Sequence, residues 1–89
     1  MPINIAIVED NPNLRVGTSY ILKASPKHKI VGEYENAEEL LEDFAEIKPD
    51  VVLMDIGLPG MSGIAATAAL KQKNPRIHRM SLKYLFYRI

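Results

Sequence analysis

Apolar runs and chain-breaking residues alternate along this sequence in an order that predicts three strands, each followed by a helix. Residues 3–8 and 51–54 are short, continuous apolar runs, and residues 30–34 predict another strand between them. Continuous runs rich in β-branched residues are typical of strands buried on both faces of a parallel sheet. The resulting βαβαβα order predicts an α/β fold with right-handed crossovers.

The helix predicted at 37–47 has the clearest amphipathic pattern in the chain. Asn36 precedes it as an N-cap, and Glu38 and Glu39 lie near the positive end of its dipole. Apolar residues recur through it at helical spacing, which predicts that one face packs on the sheet. These residues are Ala37, Leu40, Leu41, Phe44 and Ile47.

The other two helices have weaker patterns. One has Pro12 in its first turn and runs to about Ala24, and the other covers about residues 63–73, with Ser62 as its cap. The first of them has a rough apolar stripe made of Leu14, Val16, Tyr20, Ile21 and Leu22. After residue 75 the pattern fits either a fourth strand, beginning near Ile77, or a helix, because periodicity does not separate the two in so short a segment.

The composition of the chain excludes several classes of function. A chain of 89 residues suffices for one small domain. The sequence has no cysteine, which excludes disulfides, thiolate metal sites and a thiol nucleophile. No apolar run approaches the roughly 20 residues that a membrane span requires, and the first residues lack a secretory signal. A cytoplasmic location is therefore expected.

The net charge of zero conceals an asymmetry between the body of the chain, residues 1–73, and its C-terminal end, residues 74–89. Residues 1–73 contain all 11 acidic residues and seven basic ones, whereas residues 74–89 contain four basic residues and no acid. A basic tail of this kind fits a nucleic-acid contact with salt-sensitive affinity. The stronger interpretation is that four charges over sixteen residues form a solvated face or pair with the acidic residues of the body.

Carboxylates follow two of the predicted strands. Glu9 and Asp10 end the first, and Asp55 ends the third, directly before Gly57. Because parallel strands present their carboxyl ends at one edge of the sheet, these side chains are expected to form one acidic pocket. Three clustered carboxylates repel one another, and a set of oxygen ligands suits Mg²⁺. The ordinary alternative is that Asp10 caps the next helix and Asp55 is a turn residue.

These segments resemble the receiver domains of two-component response regulators. Residues 51–63, VVLMDIGLPGMSG, are similar to the phosphoacceptor region of that family, and residues 5–11, IAIVEDN, to the acidic end of its first strand. Residues 31–34 and 36–39 resemble the subgroup that usually carries a C-terminal helix-turn-helix and regulates transcription. The likeness runs from about residue 3 to residue 75.

The resemblance implies a phosphorelay role and assigns its residues. Asp55 would take a phosphoryl group from a sensor histidine kinase, Asp10 would bind Mg²⁺ directly, and Glu9 would act largely through water. Asp55 itself and the carbonyl of Gly57 would be further metal ligands. Such a domain is a signalling module, whose only chemistry is phosphorylation and dephosphorylation of itself.

The likeness ends before the family's pattern is complete. Receivers have five βα units, with a Ser or Thr ending strand four and a Lys ending strand five, whereas this pattern has three units and a remnant. We therefore predict a partial, flavodoxin-like receiver domain at residues 1–75, truncated after the third unit, and a divergent tail at 76–89. Without the hydroxyl and the lysine, phosphoryl transfer and switching are expected to be impaired.

The family's sheet order, 2-1-3 for the strands present, would leave strand three at an edge. An apolar edge invites pairing with another chain. The tail is therefore expected to cover strand three, either as a substitute fourth strand or by exchange into a homodimer or higher oligomer. The alternative function is an interaction or oligomerisation module that keeps the receiver scaffold without being phosphorylated.

Overall fold

The computed structural model describes residues 2–54 and 63–80, which form a parallel sheet with helices on both faces. Its elements are, in chain order, β1 (Ile3–Val8), α1 (Pro12–Lys23), β2 (His28–Tyr34), α2 (Ala37–Ile47), β3 (Val51–Met54), α3 (Gly63–Lys73) and β4 (His78–Met80). The predicted α/β class is confirmed. The boundaries differ at α1, which ends at Lys23, and at β2, which begins two residues before the predicted start.

The early start of β2 results from pairing with β1. His28 and Lys29 lie in register with Ile3 and Asn4. Their polar side chains give no strand signal in the sequence, because the ladder is made by the backbone. The register shifts between Ile5 and Ala6, which marks a bulge in β2.

The sheet order is β2-β1-β3-β4, with all neighbouring strands parallel, so the predicted order 2-1-3 is confirmed. Residues 78–80 of β4 pair with residues 51–53 of β3. The prediction that the tail covers β3 as a fourth strand of the same chain is thus confirmed. Exchange of the tail into a dimer stays a prediction, and residues 81–89 lie outside the described residues.

Two apolar layers cover the faces of the sheet. On one face α2 and α3 pack on alternate residues of β1 and β3, and on the other α1 packs mainly on β1 and β2. The stripe predicted for α2 is confirmed, since Ala37, Leu40 and Phe44 are buried while Leu41 and Ile47 pack at the border. Ile7 and Leu53 face the α1 layer.

The stripe predicted for α1 is wrong. Of its five residues only Leu22 is buried, and Val16 and Tyr20 are 62% and 80% exposed. The five positions are spread around the helix at about 100° per residue, so they share no single face. The sheet-facing side is instead made by Thr18, Ser19 and Leu22.

Tyr34 connects the end of β2 to α2. Its ring lies over Gly32, where an added Cβ would come within 2.6 Å of the ring, so a larger residue at position 32 would displace the Tyr34 side chain. Its hydroxyl donates a hydrogen bond to Asp43 Oδ2 at 3.1 Å. Burial, and then the hydrogen bond and charge of Asp43, raise the pKa of Tyr34 from 10.0 to about 12.

We expect Tyr34 to ionise near pH 12 in folded protein, and Tyr34→Phe to remove that late step from the ultraviolet titration of tyrosinate. Because the folded-state pKa is the higher one, the stabilisation is complete below pH 10 and is lost as pH rises through 12. The free energy of unfolding should fall by roughly 1–2 kcal/mol over that window, because solvent screens part of the interaction, and by less in Tyr34→Phe. A late step that persists in the variant would contradict this assignment.

Candidate functional site at the carboxyl edge of the sheet

The three strands β2, β1 and β3 end together. Val8 lies in register with Tyr34 on one side and with Met54 on the other. The chain therefore leaves β1 and β3 at the same edge, so that Glu9 and residue 55 follow neighbouring strand ends. This is the convergence that parallel strands were predicted to produce.

Glu9 is held tightly at this edge. Its side chain is only 5% exposed. Its backbone N–H donates to the carbonyl of Tyr34 at 2.9 Å, and its Oε2 accepts a hydrogen bond from the N–H of Asn11 at 2.9 Å. A carboxylate that is buried and bonded to a backbone N–H has a defined orientation, as a binding group needs.

Asn11, rather than Asp10, caps α1. Its Oδ1 accepts from the N–H groups of Asn13 at 3.0 Å and Leu14 at 3.2 Å. The alternative role of Asp10 as a helix cap is therefore wrong. The side chain of Asp10 is exposed at the same edge as Glu9, where it is available to a ligand.

Arg15 is a residue of this edge that the sequence did not single out. Its Nη1 donates a hydrogen bond to the backbone carbonyl of Glu9 at 2.6 Å. The only sequence signal is a basic residue on the first helix, six positions after the acid. That signal is weak, because a charged residue on an amphipathic helix normally points to solvent.

The remaining predicted ligands, Asp55 and Gly57, lie outside the described residues, as does Ser62. Met54, the last described residue of β3, is fully buried beside Val8. Within residues 2–54 and 63–80, no group of three His, Cys, Asp or Glu side chains could hold a metal ion. Of the residues predicted for the pocket, the described part of the chain thus includes Glu9 and Asp10.

The donors present fit a hard cation. Both are carboxylates, and oxygen ligands are those that Mg²⁺ prefers. Glu9 is oriented by backbone bonds, while Asp10 beside it is open to solvent. Two consecutive residues, one with a buried and one with an exposed carboxylate, suit an ion that keeps part of its water shell.

A cavity of about 550 Å³ lies at the opposite edge of the domain. Its lining comes from the ends of α2 and α3 and from the turn before β3, and includes Phe44, Lys48, Pro49 and Lys73. It contains neither Glu9 nor Asp10, and so is separate from the acidic edge. Among the described helices, none is long and apolar enough to cross a membrane.

Comparison with known proteins identifies relatives over most of the chain. A family model described as "Response regulator receiver domain" matches residues 5–83. A protein-glutamate methylesterase/protein-glutamine glutaminase of Syntrophus aciditrophicus is 37% identical over 73 residues, which are 82% of this chain and 21% of that protein. The nitrate/nitrite response regulator NarL of Escherichia coli K12 is 33% identical over 82% of this chain and 34% of its own length.

A solved structure shares the fold. The crystal structure of a LuxR-family two-component response regulator from Aurantimonas superposes with a TM-score of 0.82 and 31% identity. The superposition covers 91% of this chain and 58% of that one. The chain therefore spans about a fifth to a third of the curated relatives named above, and somewhat over half of this structure.

Proposed function

The chain belongs to the response regulator receiver domain family, and from that membership we propose that it accepts a phosphoryl group on Asp55 from a sensor histidine kinase, with Mg²⁺ at Asp10 and Glu9. Receiver domains act in phosphorelay signalling, and that is the role of this domain. The finer assignment to individual residues is supported by the edge at which β1 and β3 end together. A cytoplasmic location is part of the same proposal.

The observation that carries the proposal is the register of Val8 with Met54. In the sequence Asp55 directly follows Met54, and Glu9 and Asp10 directly follow Val8, so this register supports an aspartate beside the two acids. An aspartate so placed is a suitable acceptor, because a nucleophilic carboxylate beside a cation site can approach a phosphate despite the shared negative charge.

The transfer proposed here forms one bond and breaks one. A carboxylate oxygen of Asp55 bonds to phosphorus as the phosphorus–nitrogen bond of the kinase phosphohistidine breaks, and the histidine nitrogen leaves with the bonding electron pair. The product is an acyl phosphate on Asp55. When bound, Mg²⁺ supplies positive charge that neutralises the phosphoryl oxygens. Asp10, Glu9, Asp55 and the carbonyl of Gly57 would hold the ion.

The test is the intact mass of the protein after incubation with a small-molecule phosphodonor. We expect one phosphoryl adduct in the presence of Mg²⁺ and none when the ion is removed with a chelator. No adduct on protein shown to be folded would reject the proposal and favour a scaffold that acts through contacts alone.

A further inference from the structure

The loop between β1 and α1, residues 9–11, is restrained at three groups of Glu9. Its N–H is bonded to the carbonyl of Tyr34, its Oε2 to the N–H of Asn11, and its carbonyl to Arg15 Nη1. We propose that Arg15 is a positioning residue, which sets the direction of Asp10 for binding of a divalent cation. This inference rests on the proposed function, in which Asp10 is a metal ligand.

The planarity of the peptide bond connects Arg15 to Asp10. The carbonyl of Glu9 and the N–H and Cα of Asp10 lie in one plane. A donor that fixes the carbonyl of Glu9 therefore also fixes the Cα of Asp10, from which the side chain extends. Asp10 itself is exposed, so burial does not hold its carboxylate, and the orientation of this peptide sets where the side chain starts.

Arg15 provides a rigid anchor because α1 holds it. Its N–H bonds to the carbonyl of Asn11 at 2.9 Å within the first turn of the helix. Asn11 caps that turn, and Pro12 at the first helical position has no N–H to satisfy. The side chain is half-buried, and its planar guanidinium restricts the directions of its donors. The position of α1 on the sheet therefore sets where the Arg15 guanidinium meets residues 9–11.

An electrostatic role and a positioning role for Arg15 predict opposite changes in Mg²⁺ affinity when Arg15 is replaced. A cation near the site repels Mg²⁺, so removing it would tighten metal binding if charge were its only effect. If Arg15 orients the ligand, removing it weakens metal binding, as observed for residues that support metal ligands from behind. The sign of the change in affinity therefore separates the two roles.

The experiment is calorimetric titration of the full chain with Mg²⁺ alone, for wild type, Arg15→Gln and Lys23→Gln. Lys23 is the matched control, because it removes the same charge from the far end of the same helix. We expect Arg15→Gln to bind Mg²⁺ about tenfold more weakly. Lys23→Gln should bind within about twofold of wild type, because its charge is exposed and screened. Circular dichroism checks that the helices are retained.

Equal or tighter binding of Mg²⁺ by Arg15→Gln would overturn the inference while leaving the proposed function in place. If wild type itself bound no Mg²⁺, the metal site and the proposed function would both be rejected. Should Arg15→Gln fail to fold, Arg15→Lys takes its place. It keeps the charge, so a purely electrostatic role predicts wild-type affinity, and positioning by the guanidinium predicts weaker binding.

Discussion

Replacing Asp55 by asparagine should abolish the phosphoryl adduct. The side chains are nearly the same size, but an amide oxygen lacks the negative charge that makes the carboxylate a nucleophile. The change also removes one of the charges expected to attract Mg²⁺. The measurement is intact mass after treatment with the phosphodonor and Mg²⁺, and we expect loss of the signal to the limit of detection.

Asp50→Asn is the matched control for this loss. It makes the same chemical change at the amino end of β3, where Asp50 Oδ2 accepts from the N–H of Asn4 at 2.9 Å, a bond that an asparagine oxygen can keep. This variant should be phosphorylated like wild type. An adduct that persists in Asp55→Asn would place the phosphoryl group on another residue and contradict the assignment.

Leu40→Ala should be the most destabilising of the substitutions considered. Leu40 is fully buried in the layer between α2 and the sheet. Its loss removes apolar contacts and leaves a cavity, at a typical cost of about 2–5 kcal/mol. Small domains are often stable by only about 5 kcal/mol or little more. Urea unfolding should therefore show a much lower midpoint and a measurable unfolded population in water.

Leu41→Ala on the same helix is the control for Leu40→Ala. Both changes alter helix propensity equally, but Leu41 is only partly buried at the border of the same layer. We expect roughly half the loss of stability or less, because water already reaches part of that side chain. Equal losses for the two variants would show that the packing of α2 differs from the one described.

The elements whose signal is local were predictable from the amino-acid sequence. Residues 3–8 and 51–54 were predictable as strands, because largely apolar runs of that length are typical of strands covered on both faces, and only the start of the first run is exposed. Helix α2 followed from its single apolar face and the cap at Asn36, whose side chain accepts from Glu39 N–H. The position of Glu9 at a strand end was likewise readable, since parallel strands align their carboxyl ends.

Features that depend on contacts between residues far apart in the sequence became apparent only in the folded chain. The start of β2 is set by backbone pairing with β1, and β4 is set by pairing with β3, neither of which requires apolar side chains. The buried side of α1 was selected by its fit to the sheet, since its apolar residues share no face. The bond from Arg15 to Glu9 depends on how that helix returns over the end of β1. Local sequence patterns predict which residues are buried and where helices are capped. Strand pairing, helix rotation and side-chain contacts depend instead on how segments distant in the sequence pack together.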